Sequence, residues 1–131
     1  MGLRVLAVDD EADFIETLVK RFTFRQIPVT AASSGPEALA RLDAEPFDVV
    51  ILDMRMPGMD GLAVLREIKK RHPLVEVIIL TGHASVEAGM QGMSLGAYDY
   101  VLKPVDFGEL LEKAKKAHER KQLNEARSRP A

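Results

Sequence analysis

The chain has 131 residues, no cysteine and a formal net charge of −2, which is the size of one ordinary domain. The lack of cysteine excludes a disulfide framework, a thiolate zinc site and a cysteine nucleophile. No apolar run approaches the roughly 18 residues that would cross a membrane, and the N-terminal residues lack the layout of a signal peptide. We therefore expect a soluble, cytoplasmic protein.

Five short apolar runs occur along the chain, and segments with helical spacing follow each of them. The runs are Val5–Val8, Val29–Ala32, Val49–Leu52, Val77–Leu80 and Tyr100–Leu102. Most are rich in Val, Ile or Leu without polar alternation, which is typical of strands buried on both faces. Five strand–helix units in succession predict an α/β fold, a doubly wound parallel sheet with helices on both faces.

Polar residues mark the starts of three predicted helices. Ser34 and Glu37 have the spacing of a capping box, and Asp106 has the same spacing to Glu109. Asp60 is placed to cap the third helix.

The fourth predicted helix has an unusual composition. It contains Gly89 and Gly92, each of which costs about 1 kcal/mol relative to Ala inside a helix. It also carries Met90 and Met93, and we expect at least one of them to pack in the core. Two glycines make this helix weakly stabilised, and weakly stabilised helices are the ones that move most readily.

The C-terminal part of the chain is basic. Residues 112–131 contain seven Lys or Arg and three Asp or Glu. Such a segment either contacts acidic partners such as nucleic acid or is a solvated helix end. We favour the solvated helix end, because the chain has no Trp and few aromatic residues to stack on bases. The apolar stripe fades beyond Ala117, so we predict one domain over residues 1–122. Residues 123–131 are then a frayed helix end or the start of a linker.

Charged or hydroxyl side chains follow four of the five predicted strands. Asp9 and Asp10 follow the first, Asp53 the third, Thr81 the fourth and Lys103 the fifth. We expect them to meet, because ligands of open parallel sheets bind outside the carboxyl ends of the strands. Three converging carboxylates repel one another unless a cation lies among them, and Mg²⁺ prefers oxygen ligands. With an ammonium and a hydroxyl added, the set suits phosphoryl transfer to a carboxylate. The residues alone do not rank the three carboxylates as acceptor.

Four sequence motifs, and their order along the chain, resemble those of the receiver domain of bacterial two-component response regulators. They are VDDE (8–11), LDMRMPGMDG (52–61), LTGH (80–83) and GAYDYVLKP (96–104). The resemblance runs from about residue 3 to residue 121 and is nearest to the receivers of nitrogen-regulator-type enhancer-binding transcription activators. It implies the flavodoxin-like, CheY-like (βα)5 fold with strand order 2-1-3-4-5, and a cis peptide bond at Lys103-Pro104.

The resemblance assigns a metal site and a phosphoacceptor. Asp53 would accept the phosphoryl group. Asp10, Asp53 and the backbone carbonyl of Arg55 would ligate Mg²⁺, and Asp9 would act mainly through a bound water.

The resemblance also assigns the residues around the phosphoryl group. Thr81 would hydrogen-bond to it and Lys103 would pair with it. Tyr100 would be the aromatic switch residue that turns inward as Thr81 moves. Arg55 and His83, each two residues past a site residue, would modulate the dephosphorylation rate, unless they are merely exposed.

The implied function is a phosphorylation-controlled switch. The domain would catalyse only its own phosphorylation and dephosphorylation, so it is not expected to be an enzyme in the usual sense. A sensor histidine kinase or a phosphotransfer protein would be the donor. The face of the fourth helix, fifth strand and fifth helix would act on a downstream effector domain or protein, with control of transcription as the expected output. A homodimer through helices four and five is left open, and neither membrane nor direct nucleic-acid contact is expected.

Two other functions compete with the switch. A magnesium-dependent phosphohydrolase with an aspartyl nucleophile would place a second Asp two residues after it, where this chain has Arg55. A phosphorylation-independent interaction module with the receiver fold usually loses an acidic, Thr or Lys position, and all are present here. Nucleotide binding is disfavoured, because no Gly-rich loop followed by Lys-Ser or Lys-Thr occurs.

Overall fold

The structure, a computed structural model, describes residues 2–56, 59–82 and 86–128, with the backbone alone at Met59 and Val86. Five strands form the central sheet: β1 (Val5–Val8), β2 (Val29–Ala32), β3 (Val49–Asp53), β6 (Glu76–Thr81) and β7 (Asp99–Leu102). The helices that alternate with them are α1 (Ala12–Phe24), α2 (Gly35–Ala44), α3 (Gly61–Arg71), α4 (Val86–Ser94) and α5 (Phe107–Ser128). Two-residue strands β4 (Arg55–Met56) and β5 (Met59–Asp60) form an antiparallel ribbon before α3.

The topology confirms the predicted fold class. The sheet order is β2-β1-β3-β6-β7 with every pair parallel, which is the order 2-1-3-4-5 when its five strands are counted alone. The β4–β5 ribbon was not predicted, because strands of two residues have no periodicity to detect.

Two apolar layers sandwich the sheet, because successive residues of each strand point to opposite faces. Leu6 and Val8 of β1 pack on the face covered by α2, α3 and α4. Val5 and Ala7 pack on the face covered by α1 and α5. The central strands are buried on both faces, as their unbroken apolar runs predicted.

The predicted helix caps are present, with one difference. Oγ of Ser34 accepts a hydrogen bond from the backbone N–H of Glu37 at 3.2 Å, but the Glu37 carboxylate accepts from Ser33 rather than from Ser34 itself. Asp60 accepts from two backbone N–H groups of α3. Asp106 accepts from the N–H three residues later, at 3.1 Å. These contacts fix where three helices begin.

The orientation of α4 differs from the expectation for its methionines. Met90 and Met93 are 63% and 40% exposed, so the prediction that at least one packs in the core was wrong. The glycines face the sheet instead. A Cβ on Gly92 would lie 2.1 Å from Cδ1 of Ile79. The helix therefore approaches the sheet through its glycines and presents its methionines to solvent.

Helix α5 is longer than the apolar stripe suggested. It has 22 residues, Phe107–Ser128, so residues 123–128 are helical. The domain boundary at residue 122 stays a prediction. None of the helices in the described ranges is both long and apolar enough to span a bilayer.

Three basic side chains of α5, those of His118, Arg120 and Lys121, form contacts at the amino edge of the sheet. Nζ of Lys121 lies 3.1 Å from Oδ1 of Asp48, and Nε2 of His118 lies 3.8 Å from Oδ2 of the same carboxylate. Arg120 forms an ion pair with Glu76. Asp48 and Glu76 are both buried. The sequence analysis missed this network, which ties the second half of α5 to the sheet.

Candidate functional site

The carboxyl edge of the sheet brings together the residues that the sequence predicted there. The register of β1 and β3 puts Asp9, just past β1, beside Asp53 at the end of β3. Thr81 ends β6. Its carbonyl accepts a hydrogen bond of 2.7 Å from the backbone N–H of Lys103. Residues from four strand ends thus meet at one edge of the sheet.

Three carboxylates form the acidic centre of this site. Asp9, Asp10 and Asp53 each offer one oxygen, and these oxygens all lie within 4.8 Å of one another. Asp9 and Asp53 are buried, whereas Asp10 is exposed. This spacing suits a cation held among the three carboxylates.

Among the described residues, each of the two buried carboxylates accepts a hydrogen bond at only one of its two oxygens. Oδ1 of Asp9 accepts from the backbone N–H of Glu11 at 2.9 Å, and Oδ1 of Asp53 accepts from that of Arg55 at 3.0 Å. Oδ2 of each residue is buried and accepts no hydrogen bond from the described part of the chain. Buried polar atoms are rarely left in this state unless an ion or water completes the site.

Lys103 supplies the positive charge at the centre. Its Nζ lies 3.4 Å from Oδ2 of Asp53, 3.5 Å from Oδ2 of Asp9 and 3.5 Å from Oε1 of Glu11. The ring centroid of Phe14 lies 5.4 Å from the same atom. One ammonium leaves the three aspartates with an uncompensated charge of −2, which a divalent cation would neutralise.

The pKa values of the paired groups reflect this crowding. Burial raises the pKa of Asp9 to about 6, and repulsion from Asp53 adds to it, although the N–H of Glu11 opposes the change. Burial alone would lower the pKa of Lys103, but the attraction of Asp53 and Asp9 outweighs it, so the pKa is raised. The ammonium therefore stays charged.

The donor set fits Mg²⁺. Three clustered carboxylate oxygens, two orphaned buried oxygens and a residual negative charge are what a hard divalent cation binds. The backbone of Arg55 is anchored to Asp53 through its N–H. Its carbonyl as a further ligand stays a prediction.

The two predicted switch residues lie next to α4. Thr81 is fully buried, and its hydroxyl donates to the carbonyl of Gly82 at 2.9 Å. Tyr100 is half-buried against the core. A Cβ on Gly89 would lie 3.4 Å from Cγ2 of Thr81 and 3.5 Å from Cγ of Tyr100. The bare backbone of α4 thus contacts both residues at once.

The structure describes one of the two predicted rate-modulating residues. Arg55 is exposed, and its Nη1 would lie 3.6 Å from a Cβ built on Gly82, so its guanidinium lies beside the residue that follows Thr81. His83 lies outside the described residues. Sequence reasoning missed Glu11 and Phe14 as neighbours of Lys103. In the sequence, the sole indication of the contact between Glu11 and Lys103 is the position of Glu11 directly after the aspartate pair.

Comparison with known proteins identifies the family. A profile of the response regulator receiver domain matches residues 5–115. The chain belongs to this family. NtrC of Salmonella typhimurium is 39% identical over 113 residues, which cover 86% of this chain and 24% of NtrC. The C4-dicarboxylate transport transcriptional regulatory protein DctD of Rhizobium meliloti is 36% identical over 119 residues, covering 91% and 26%. The chain spans about a quarter of the length of these relatives.

Solved receiver structures agree with the fold. NtrX from Brucella abortus superposes with a TM-score of 0.90 at 32% identity, covering 98% of this chain and 29% of NtrX. A receiver domain from Clostridium thermocellum gives 0.87 at 36% identity, covering 92% and 98%. The chain is a receiver domain of two-component response regulators of the NtrC and DctD type, as its motifs predicted.

Proposed function

We propose that this receiver domain takes a phosphoryl group onto Asp53 and changes the surface built from α4, β7 and α5. The observation that carries the proposal is Oδ2 of Asp53, which is buried, lacks a hydrogen-bond donor in the described part of the chain and lies 3.4 Å from Nζ of Lys103. This oxygen has lone pairs available and a cation beside it.

The reaction is a displacement at phosphorus. Oδ2 of Asp53 forms a bond to phosphorus while the bond to the donor atom breaks, and the electron pair leaves with the donor. Lys103 pairs with the transferred group, and the hydroxyl of Thr81 turns from the Gly82 carbonyl to donate to it. Mg²⁺, held by Asp9, Asp10 and Asp53, would neutralise charge on the phosphoryl oxygens.

Transmission would start at Thr81. Its methyl group lies against the α4 backbone at Gly89, and the Tyr100 ring lies against the same glycine. A movement of Thr81 toward the phosphoryl group opens space that Tyr100 can enter, and α4 then shifts. Such a change is a shift between two pre-existing states, and its size depends on how differently they bind the phosphoryl group.

The partners follow from this surface. Met90 and Met93 on α4 are exposed, and flexible thioether side chains adapt well to a partner. The relatives are about four times as long as this chain, so the expected partner of this surface is the effector domain of a transcription regulator. A second copy of the receiver domain is the alternative partner. The donor would be a phosphohistidine on a sensor kinase or phosphotransfer protein.

Intact-mass measurement tests the phosphoacceptor directly. The protein is incubated with Mg²⁺ and acetyl phosphate beside Asp53→Asn, with Asp60→Asn as the control, since Asn caps a helix as well as Asp does. We expect one phosphoryl group on the wild type and on Asp60→Asn, none on Asp53→Asn, and none in EDTA. Absence of phosphorylation with both acetyl phosphate and phosphoramidate would refute the proposal in favour of a phosphorylation-independent module.

A further inference from the structure

Lys103 has three carboxylate neighbours at nearly equal distances, and one of them has no role in the site described above. Glu11 Oε1 lies 3.5 Å from Nζ, as far as Oδ2 of Asp9, and Oδ2 of Asp53 lies 3.4 Å away. The side chain of Glu11 is 66% exposed, whereas the two aspartates are buried. The ammonium therefore lies between an inner pair of carboxylates and one outer carboxylate.

The surroundings limit where this ammonium can move. The ring of Phe14 lies 5.4 Å from Nζ, and the backbone of Lys103 is tied to β6 through the Thr81 carbonyl. Because the three distances are almost the same, no single carboxylate holds the ammonium alone. Removing one of them shifts the ammonium toward the other two.

We propose that Glu11 is a positioning residue for Lys103. Its carboxylate holds the ammonium at the outer side of the acidic pair, and this leaves the carboxylates of Asp9 and Asp53 open to a divalent cation. Without that carboxylate, the ammonium pairs only with the two aspartates and competes with the cation for their oxygens. The inference rests on the proposed function of the site as a magnesium-dependent phosphoacceptor.

Glu11→Gln isolates the side-chain charge. The backbone N–H of residue 11, which donates to Oδ1 of Asp9 at 2.9 Å, is retained in this variant. Asp13→Asn is the matched control. Asp13 is exposed in the first turn of the same helix. Among the described residues, the carboxylates within 4 Å of Nζ of Lys103 are those of Asp9, Glu11 and Asp53, and Asp13 is not one of them.

The test is Mg²⁺ affinity by isothermal titration calorimetry without any phosphodonor. We expect Glu11→Gln to bind Mg²⁺ about threefold to tenfold more weakly than the wild type, because the ammonium then competes with the cation at the two aspartates. Asp13→Asn should change the affinity by less than about twofold. In a Lys103→Met background, the two substitutions should have equal, small effects, because the competing ammonium is gone.

A second readout needs no metal. In the ¹H–¹⁵N spectrum of the lysine ammonium groups of the metal-free protein, the Lys103 signal should move in Glu11→Gln and stay in place in Asp13→Asn. Equal Mg²⁺ affinities for the two variants, or a Glu11→Gln effect that survives in Lys103→Met, would overturn the role of Glu11 and leave the proposed function of the site intact. A wild type that binds no Mg²⁺ would instead overturn the proposed function, and this inference with it.

Discussion

Lys121→Met should destabilise the domain, although the residue lies at the edge of the sheet opposite to the functional site. The ammonium lies 3.1 Å from Oδ1 of Asp48, and the Lys121 side chain is only 11% exposed. Breaking a buried ion pair by removing one partner costs about 3–5 kcal/mol. Asp48 keeps part of its compensation, because it also accepts from the backbone N–H of Arg4 at 2.9 Å and lies 3.8 Å from His118. We therefore expect a loss of about 2 kcal/mol at pH 7.

The assay is urea unfolding followed by circular dichroism, with Lys116→Met as the control on the same helix. The side chain of Lys116 is 61% exposed and 4.0 Å from Glu112, so its removal should change the free energy of unfolding by less than about 0.5 kcal/mol. A loss of about 2 kcal/mol corresponds to a fall in Tm of about 8 °C. The reasoning would be refuted if Lys121→Met lost no more stability than Lys116→Met.

The pH dependence gives an independent check. Burial alone would raise the pKa of Asp48, but the Arg4 N–H and the ammonium of Lys121 outweigh it, so the pKa is lowered. A carboxylate with a lowered pKa contributes stability above its unfolded value of about 3.9, and that stability is lost as the pH falls through the folded pKa. The difference between wild type and Lys121→Met should be full at pH 7 and shrink in acid, because a protonated Asp48 needs no cation. A difference that stays constant down to pH 3 would contradict this reading.

Four further substitutions test the packing and the site. Gly89→Ala should stabilise α4 by about 0.5–1 kcal/mol, because its Cβ would make ordinary contacts. Gly92→Ala should be about 1–3 kcal/mol less stable than Gly89→Ala, because its Cβ would lie 2.1 Å from Cδ1 of Ile79. Thermal melts of the two variants measure the difference. Ser34→Ala should lose about 1 kcal/mol in urea unfolding through its missing helix cap. Asp9→Asn should stabilise the metal-free protein by about 1–2 kcal/mol at pH 7, because a buried carboxylate with a raised pKa is removed. The same variant should lose most of the Tm increase that Mg²⁺ gives the wild type, and an unchanged increase would count against Asp9 in the metal site.

The fold could be predicted from the sequence because it depends on local patterns. The first two strands begin and end where their apolar runs do, and the others differ by one or two residues. The rotation of α4 about its axis could not be predicted in this way. A helix with both glycines and methionines has two candidate inner faces, and the close approach to Ile79 selects the glycine face. That selection depends on the shape of the sheet surface, which no local pattern contains.

The site was predictable to the extent that strand ends determine it. Asp9, Asp53 and Lys103 converge because parallel strands end at the same edge, so knowing the strand ends was sufficient. The contact between Glu11 and Lys103 depends on the orientation of two long side chains separated by 92 positions in the chain. The same holds for Asp48, whose partner on α5 is set by the angle at which that helix crosses the sheet.

The two edges of the sheet carry buried carboxylates in opposite states. At the amino edge, Asp48 and Glu76 each have cationic partners, so their charges are compensated within the domain. At the carboxyl edge, Asp9 and Asp53 share one ammonium, and each keeps an oxygen without a hydrogen bond from the described residues. An uncompensated buried charge is destabilising, so the carboxyl edge gains most from a divalent cation and from any rearrangement that a phosphoryl group drives. In the proposed switch, the compensated edge would hold α5 to the sheet during that rearrangement, which would confine the change to the end of the fold where α4 and Tyr100 lie.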